Sequence, residues 1–324
     1  MILAGDVGGT KTLVGLFHFG AKRPVAVDVK SFPTLDFSGL SAIVDEFFKQ
    51  RGSPPRMEVA CFGVAGPVIE QTAEMTNVPW TVSAADISSR YKLQRVRLLN
   101  DLEAMAYAVP VLDRDELETL QQGRRRHGAN AALIAAGTGL GEATLHNISG
   151  RFRPISSEGG HADFAARTDR ELDLVRYLRD RLGRVNLENV VSGPGLVHLY
   201  RFVHGGEPCD VVGPLVDTAE GPAVVSRAGM EKWCPRCTEA VEMFVSAYGA
   251  AAGNLALRAV ATGGLYLGGG IAPQMLPLLK SPLFLDAFND KAPMTDLMRS
   301  IPIQVILNAQ AALLGAAVFA NEMI

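Results

Sequence analysis

Short apolar runs, separated by glycine-rich or polar stretches, recur along the chain, and longer stretches with helical spacing lie between them. The β-prone runs predict strands over residues 2–6, 12–19, 25–32, 58–64, 93–99, 131–136, 142–147, 265–267 and 303–307. Apolar residues at helical spacing predict helices over residues 41–51, 102–109, 171–181, 238–261 and 309–320, with another from residue 196. Three strands followed by alternating helices and strands predict an α/β fold.

The turn between the first two predicted strands reads Gly5-Asp6-Val7-Gly8-Gly9-Thr10-Lys11. Its glycines let the backbone approach a ligand closely, and successive exposed N–H groups form a nest for anions. The carboxylate of Asp6 suits Mg²⁺, directly or through water. The segment therefore predicts a strand–turn–strand that holds nucleotide phosphates, although an ordinary Gly-Gly hairpin turn explains the same residues.

This turn differs from a P-loop in two respects. The P-loop pattern requires a second glycine where this chain has Thr10, and a P-loop leads into a helix. Here the apolar residues between Leu13 and Phe19 predict a second strand. We therefore interpret the turn as a different phosphate-binding hairpin.

Two further glycine-rich turns follow apolar strands later in the chain. They are Gly137-Thr138-Gly139-Leu140-Gly141 and Gly268-Gly269-Gly270. Ligands of open α/β sheets bind at the carboxyl ends of strands. Two Gly/Thr turns, one in each half, suit a triphosphate held from either side. The third turn suits an adenine or ribose lying flat on the backbone.

Asn100-Asp101 also follows a predicted strand. Asn and Asp favour the start of a helix, so one interpretation is a helix N-cap. The functional interpretation is a general base with an amide partner that orients the same substrate. A helix N-terminus would help to keep Asp101 ionised.

Glu158-Gly159-Gly160-His161 places a carboxylate and an imidazole on either side of two glycines. A single His or Glu is more often structural, but this tight loop suits two side chains that point at one spot. Glu188 precedes the turn Ser192-Gly193-Pro194-Gly195, and alone it reads as a surface charge. Carboxylates, an amide and an imidazole together suit a polyol, because each hydroxyl both donates and accepts hydrogen bonds.

Composition narrows the function further. The chain has 324 residues, of which 48% are hydrophobic and 20% charged, and a net charge of -3. This balance is that of a globular protein with room for two domains, and it does not favour nucleic-acid binding. The apolar stretch at residues 309–320 is too short to span a membrane, and Asp6 interrupts any signal-like start. We therefore expect no membrane segment and a cytoplasmic location.

Four cysteines do not make a disulfide scaffold in a chain of this length. Cys234 and Cys237 form a C-x-x-C pair, but no second pair exists at matching spacing. Cys209 and His204 are the nearest further ligands, and they lie some distance away along the chain. The pattern favours a reduced pair at a helix start, and no zinc is expected.

The motifs together, in their order along the chain, resemble those of bacterial glucokinases, which have the hexokinase/actin/Hsp70-type ATPase fold. The resemblance covers nearly the whole chain, and the set of motifs is specific although each one is not. It is carried by Gly5–Thr10, Leu99-Asn100-Asp101, Gly137–Gly141, Ser157-Glu158-Gly159-Gly160-His161, Ser192–Gly195, Leu267-Gly268-Gly269-Gly270-Ile271 and Thr76-Asn77-Val78-Pro79-Trp80.

The resemblance implies two α/β domains of the ribonuclease H-like or actin-like ATPase fold around a central cleft. The first domain would comprise residues 1–109 and 308–324, because the last helix of this family returns to it, and the second would comprise residues 110–307. The implied activity is ATP-dependent phosphorylation of glucose at its 6-hydroxyl with Mg²⁺, and members of this family commonly form homodimers.

The resemblance also implies residue roles. Asp101 would be the general base, and Asp6 would meet Mg²⁺, through water or directly. The nucleotide would contact Gly5, Asp6, Val7, Gly8, Gly9, Thr10, Thr138, Gly139, Gly141, Gly268, Gly269 and Gly270. Glucose would contact Asn100, Asp101, Glu158, His161 and Glu188.

Two departures from the family pattern stand out. Lys11 stands where this family often has Asn, and Lys at this position is found in the related repressor/kinase branch of sugar kinases. That branch usually carries zinc-binding cysteines soon after the equivalent of His161. In this chain, residues 162–165 contain no cysteine. Glu142 brings an acid close to the second phosphate turn, which is unfavourable unless it faces away or meets magnesium.

Two alternatives to a glucose kinase remain. One is a kinase for mannose, fructose or an amino sugar, and the other is a sugar-binding regulatory protein on the same fold.

Overall fold

In a computed structural model of the chain, residues 1–52, 55–75 and 78–324 are described. The chain divides into two compact units. Unit 1 consists of Met1–Arg114, Phe152–Ser156 and Asn308–Ile324, and unit 2 consists of Asp115–Arg151 and Ser157–Leu307. Thr76 and Asn77, which open one of the motifs quoted above, lie outside the described residues.

Strands and helices are both spread over the described chain, mostly in short runs of one kind. The strands are β1 (Ile2–Val7), β2 (Lys11–His18), β3 (Val25–Pro33), β4 (Val59–Val64), β5 (Val68–Ile69), β6 (Thr72–Glu74), β7 (Thr81–Ser83), β8 (Arg95–Asn100), β9 (Leu117–Gln121), β10 (Ala131–Ala136), β11 (Leu140–Ile148), β12 (Arg151–Ser157), β13 (Gly264–Gly268) and β14 (Ile303–Ile306). The helices are α1 (Leu40–Arg51), α2 (Ala84–Tyr91), α3 (Asp101–Ala108), α4 (Asp169–Leu182), α5 (Gly193–His204), α6 (Gly221–Met230), α7 (Pro235–Ala259), α8 (Ile271–Gln274), α9 (Leu276–Leu279), α10 (Pro282–Asn289), α11 (Thr295–Ser300) and α12 (Ala311–Asn321).

Unit 1 is built on a five-stranded sheet with the order β3-β2-β1-β4-β8. The first three strands form an antiparallel meander, whereas β4 and β8 run parallel to β1. Strands β1 and β4 are buried on both faces, which explains their nearly continuous apolar sequences. One face packs against Ile43 and Phe47 of α1, and the other against Ala104 of α3 and Leu313 of α12.

Unit 2 contains five neighbouring strands of a second sheet, in the order β11-β10-β13-β14-β9. Strand β10 is fully buried, antiparallel to β11 and parallel to β13. Its neighbour in the core is α7, where the hydroxyl of Tyr248 donates to the carbonyl of Ile134 over 3.4 Å. The carboxyl ends of β10 and β13 therefore lie side by side, and each leads into one of the glycine-rich turns.

Helix α7 has 25 residues and, by length and composition alone, is long and apolar enough to cross a membrane, which was not anticipated from the sequence. However, 72% of its apolar window is buried inside the protein. Its apolar character is therefore explained by packing in the core of unit 2, with Phe244 and Tyr248 fully buried.

The mixed α/β pattern was predicted correctly, but several elements were not predicted. Strand β9 has the half-buried sequence Leu-Glu-Thr-Leu-Gln and pairs only at the edge of its sheet, beside β14. Strand β12 is mostly polar and also lies at a sheet edge. Edge strands need only one partner and can carry polar residues, so their apolar signal is weak.

Candidate active site

The first glycine-rich turn joins β1 to β2 and is held by a residue that the sequence did not single out. Gly8 donates its N–H to the carbonyl of Lys11 over 3.1 Å. The buried hydroxyl of Thr34 donates to the carbonyl of Gly8 over 2.8 Å, and the N–H of Thr34 donates to the carbonyl of Thr10 over 3.0 Å. Thr34 therefore holds both sides of the turn, and no pattern around it distinguishes it from other threonines.

Glycine is required at Gly8 by close approach rather than by a left-handed backbone. A Cβ at Gly8 would lie 3.0 Å from the carbonyl oxygen of Lys11. Among the glycines of the three turns, which all lie in the described chain, only Gly269 has a positive φ angle, of 81°. The first turn is therefore a tight hairpin whose backbone is kept close to its own second strand.

Asp6 and Asp101 lie close enough in unit 1 for their charges to interact. Burial, followed by the neighbouring carboxylate of Asp101, raises the pKa of Asp6 to about 7, and Lys11 opposes this rise. Gly63 makes the approach possible, since it pairs with Asp6 across the sheet and lies under the start of α3. A Cβ at Gly63 would lie 2.8 Å from the Cβ of Ala104 and 3.6 Å from the Cα of Asp101.

Gly63 was also missed, although an isolated glycine in an apolar strand is a known sign of close backbone approach. Lys11 is exposed, and its positive charge opposes the rise in the pKa of Asp6.

Asn100 is the N-cap of α3, which was one of the two interpretations of Asn100-Asp101 made from the sequence. Its Oδ1 accepts from the N–H groups of Leu102 and Glu103 over 3.0 and 3.4 Å, and its Nδ2 donates to the carbonyl of Gly66 over 3.3 Å. Asp101 is the first residue of the helix, and its Oδ1 accepts from the N–H of Leu102 over 2.8 Å. The partial positive charge at a helix N-terminus favours the ionised form of a carboxylate there.

The second glycine-rich turn, between β10 and β11, is bonded to Glu188. The N–H of Gly137 donates to the carbonyl of Gly139 over 2.8 Å. Leu140 donates its N–H to the carboxylate of Glu188 over 2.9 Å, and a Cβ at Gly139 would lie 2.6 Å from the same carboxylate oxygen. Glu188 is thus not a simple surface charge, because its carboxylate contacts the turn itself.

The turn formed by Ser192–Gly195 packs beside the second glycine-rich turn. Ser192 caps α5 through the N–H of Gly195 over 2.9 Å and donates its hydroxyl to the carbonyl of Glu188 over 2.7 Å. Gly193 donates its N–H to the carbonyl of Gly137 over 2.8 Å. The start of α5 therefore fixes both Glu188 and the second turn.

The loop from Glu158 to His161 lies against the start of β11. Its residues Gly159–His161 form a 3₁₀ helix. A Cβ at Gly160 would collide with the carbonyl of Leu140, and a Cβ at Gly159 would collide with the carboxylate of Glu142. The N–H of Glu188 donates to the carbonyl of Gly160 over 2.9 Å. The two glycines are therefore needed because the loop packs directly on the second turn and on Glu188.

The two polar side chains of this loop are mutually close and largely exposed. His161 Nε2 lies 3.8 Å from a carboxylate oxygen of Glu158. On its other side, Nδ1 of His161 faces the amide nitrogen of Asn186 over 3.4 Å. The side-chain oxygens of Asn186 and Asn189 each accept from the backbone N–H of the other residue. Donation from the amide to Nδ1 leaves the proton of neutral His161 on Nε2. Asn186 is thus a positioning residue that the sequence did not reveal.

Glu142 does not point its charge into the second turn. Its carboxylate is buried and pairs with Arg258 of α7 over 2.9 Å. Burial raises the pKa of Glu142, and Arg258 opposes this rise. Its other oxygen, Oε1, has no hydrogen-bond partner among the described residues. The unexpected acid is therefore explained by an ion pair with a helix of its own unit.

The third glycine-rich turn follows β13 and packs against the end of β10. Gly269 has a φ angle of 81°, and a Cβ there would also collide with the carbonyl of Ala136. In unit 2, this turn, the second turn, the Glu158–His161 loop and Glu188 are therefore gathered around the carboxyl ends of β10 and β13. Asp6, the first turn and Asp101 are gathered in unit 1.

A family model described as Glucokinase matches residues 3–323. The chain belongs to the glucokinase family. It is 37% identical over 340 residues to the glucokinase of Nostoc sp. strain PCC 7120, covering 100% of this chain and 99% of the relative. It is 38% identical over 349 residues to the glucokinase of Synechocystis sp., covering 99% and 98%. The predicted glucokinase relationship is thus confirmed.

Solved structures of the glucokinase family and its neighbours share the fold. The crystal structure of a glucokinase from an Antarctic psychrotroph is similar with a TM-score of 0.85 and 31% identity, covering 99% of this chain and 98% of that one. A ROK-family glucokinase from Streptomyces griseus, solved in complex with glucose and AMPPNP, is similar with a TM-score of 0.64 and 20% identity, covering 99% of each chain. These similarities confirm the predicted actin-like ATPase fold, while the roles of single residues stay predictions.

Proposed function

We propose that this chain transfers the γ-phosphoryl group of ATP to the 6-hydroxyl of glucose, with Asp101 as general base. Its membership of the glucokinase family over residues 3–323 supports the activity. The observation that carries the choice of base is the position of Asp101, at the first turn of α3 and at the end of β8. This is where a carboxylate is kept ionised and presented at the edge of a sheet.

Asp101 would accept the proton of the 6-hydroxyl as the hydroxyl oxygen attacks the γ-phosphorus. Phosphoryl transfer depends mainly on positioning and on neutralising charge, so the base has a limited task. General-base catalysis of this kind contributes roughly 10²–10⁴-fold. The hydrogen bond from the N–H of Leu102 fixes one oxygen of Asp101.

Asp6 would hold Mg²⁺, directly or through a water molecule. The donor chemistry fits, because Mg²⁺ prefers carboxylate and water oxygens and usually takes one or two protein carboxylates. The raised pKa of Asp6, caused first by burial and then by the charge of Asp101, also fits, because a dication would favour the ionised carboxylate in this buried site. Bound Mg²⁺ would offset the charge of the transferred phosphates.

The glycine-rich turns would bind the nucleotide. The first turn, from Gly5 to Thr10, and the second turn, through Thr138, Gly139 and Gly141, would offer N–H groups and hydroxyls to the phosphates. The third turn, Gly268–Gly270, would lie against adenosine. Tight packing supports these roles, since the first turn is held by Thr34 and the second by Glu188.

Glucose would be bound by Asn100, Asp101, Glu158, His161 and Glu188. The adjacent carboxylate and imidazole of Glu158 and His161 match the paired donors and acceptors of sugar hydroxyls. Glu188 would join the sugar site to the phosphate turn, because its carboxylate already accepts from the N–H of Leu140. Its second oxygen would accept from a hydroxyl.

The decisive experiment measures ADP release with purified protein across glucose, mannose, fructose and glucosamine, with and without magnesium. We expect the highest kcat/KM with glucose and ATP, and loss of turnover without a divalent cation. A higher kcat/KM for another hexose would reassign the substrate. Sugar binding without turnover of any hexose would favour a sugar-binding regulatory protein.

We also propose that residues 1–109 with 308–324 and residues 110–307 act as two domains in a cytoplasmic homodimer. Family membership supports a dimer, and light scattering after gel filtration tests it. A mass of one chain at working enzyme concentration would refute the dimer. Fractionation of the source cells would test the location.

A further inference from the structure

Four metal-ligating side chains from three segments of the chain meet in unit 2, at the opposite end of α5 from the turn Ser192–Gly195. They are His204, Cys209, Cys234 and Cys237. One ligand atom from each lies within 4.8 Å of all the others. The sequence did not predict zinc, because the C-x-x-C pair lacks a second pair at matching spacing. In the folded chain, His204 and Cys209 supply the two further ligands.

The distances within the cluster match those between ligands of one tetrahedral zinc ion. Zn–S bonds of about 2.3 Å and Zn–N bonds of about 2.0–2.1 Å place two sulfurs about 3.8 Å apart and a sulfur and a nitrogen about 3.6 Å apart. Two pairs in the cluster have these spacings: Cys209 Sγ lies 3.7 Å from Cys237 Sγ, and Cys234 Sγ lies 3.5 Å from His204 Nε2, while all four ligand atoms lie within 4.8 Å of one another. All three cysteines are free thiols, so no disulfide uses the same sulfurs.

Tyr200 orients two of the four ligands. The Nδ1 of His204 lies 2.8 Å from the carbonyl of Tyr200, so Nδ1 carries the proton and Nε2 presents its lone pair to the cysteines. The N–H of Cys209 donates to the hydroxyl of Tyr200 over 2.9 Å. An imidazole that donates its second nitrogen to a backbone carbonyl is the usual arrangement around a zinc-binding histidine.

The three segments that supply the ligands are the end of α5, the loop after it and the start of α7. His204 is the last residue of α5, Cys234 is the N-cap of α7, and Cys237 lies in its first turn. His204 and Cys237 are buried, whereas Cys209 and Cys234 are partly exposed. An ion could therefore enter from the side of Cys209 and Cys234.

We propose that His204, Cys209, Cys234 and Cys237 bind one structural Zn²⁺ that ties the end of α5 to the start of α7. Soft thiolates with one imidazole select zinc over magnesium or calcium. Four protein ligands complete a tetrahedron and leave no position for substrate, so the ion is structural rather than catalytic. The proposal is independent of the sugar that the chain phosphorylates.

Metal analysis tests the proposal directly. The full chain is expressed with added zinc, and any affinity tag is removed. After purification under reducing conditions and gel filtration, its zinc content is measured by elemental mass spectrometry. We expect about one zinc per chain. The double variant Cys234→Ser/Cys237→Ser should lose this zinc. Cys61→Ala is the matched control, because Cys61 is a buried cysteine of unit 1 outside the cluster, and it should keep the zinc.

Cobalt substitution tests the ligand set without any variant, so it stands even if the double variant does not fold. Co²⁺ added to zinc-depleted wild-type protein should give thiolate-to-cobalt charge-transfer bands and the intense visible bands of tetrahedral cobalt, and zinc should abolish them. Wild-type protein that contains no zinc after incubation with it, or a cobalt spectrum without thiolate bands, would overturn the proposal.

The effect on stability distinguishes a structural ion from an adventitious one. Binding energy at a structural zinc site contributes to folding, so removing zinc should lower the unfolding midpoint by several degrees. Adding zinc back should restore the midpoint in wild-type protein and in Cys61→Ala. An unfolding midpoint that is the same with and without zinc would contradict the structural role.

Discussion

Glu142 and Arg258 form an ion pair in which the carboxylate is 2% exposed and the guanidinium 52% exposed, with 2.9 Å between Oε2 and Nη2. The pair lies directly behind the loop of Glu158–His161, because a Cβ at Gly159 would collide with the carboxylate of Glu142. A buried acid thus supports the loop that is proposed to bind the sugar.

Removing the cation should harm the protein more than neutralising the acid. Arg258→Met leaves the buried carboxylate of Glu142 without its partner and should lower the unfolding midpoint by roughly a few degrees, since solvent already screens the half-exposed Arg258. Glu142→Gln removes the buried charge and should cost less. The double variant should recover most of the loss. Equal, additive losses in thermal unfolding would contradict the proposed pairing.

Asp101→Asn should lower kcat by roughly 10²–10⁴-fold, because the amide cannot accept the proton of the attacking hydroxyl. Glucose binding should change far less. Asp86→Asn is a matched control, since Asp86 lies in the first turn of α2, another helix of eight residues in unit 1. Steady-state kinetics and glucose binding by calorimetry distinguish the effects. Near-normal kcat in folded Asp101→Asn would exclude Asp101 as the base.

The raised pKa of Asp6 predicts a specific pH dependence of stability without magnesium. Its pKa is about 7 in the folded protein against an ordinary 3.8, so the folded state holds the proton more tightly. The tighter binding of this proton therefore stabilises the folded protein fully below about pH 4, and the stabilisation is lost as the pH rises through 7. Asp6→Asn stays neutral, so its advantage in unfolding midpoint should grow between about pH 4 and 7 and then level off.

The same variant reports on the metal. Magnesium should raise the midpoint of wild-type protein at about pH 8 and should affect Asp6→Asn much less, because only the carboxylate is a ligand. A difference between the two proteins that is independent of pH would show that Asp6 does not titrate in this range. An equal response to magnesium would remove Asp6 from the metal site.

Thr34→Val should loosen the first turn. The variant deprives the carbonyl of Gly8 of the hydroxyl that now donates to it, at a cost of about 1–3 kcal/mol. We expect a several-fold higher KM for ATP with little change in the KM for glucose. Thr12→Val is the control, because it removes only the bond of 2.9 Å between the two threonine hydroxyls. The same KM for ATP in both variants would refute this role of Thr34.

Much of the fold was predictable because its central strands are buried on both faces. Strands β1, β4 and β10 carry uninterrupted apolar sequences, and the turns that follow β1 and β10 carry glycines. Edge strands β9 and β12 escaped prediction, since only one side of each is paired and their residues are largely polar.

The site was predictable to the extent that its residues stand next to one another in the sequence. Asn100-Asp101 and Glu158–His161 are local motifs. By contrast, Thr34 supports a turn some 26 residues earlier, and Asn186 faces a histidine some 25 residues earlier. Such pairs arise only when the fold brings distant segments together. No zinc was expected from the sequence because His204 and Cys209 lie some distance from Cys234 and Cys237 along the chain. The fold nevertheless brings the four side chains together.

Helix α12 packs on β1 and α3 although the whole of unit 2 precedes it in the chain. Gly315 lets the helix approach α3 so closely that a Cβ there would collide with the carbonyl of Ala104, and Asn321 exchanges two hydrogen bonds with the backbone of Gly20, of 2.9 and 3.1 Å. During synthesis, all of unit 2 (residues 115–151 and 157–307) is therefore available to fold while unit 1 still exposes one face of its sheet. Unit 1 therefore completes its sheet only after α12 has been synthesised, and deleting α12 should leave an exposed, aggregation-prone sheet face.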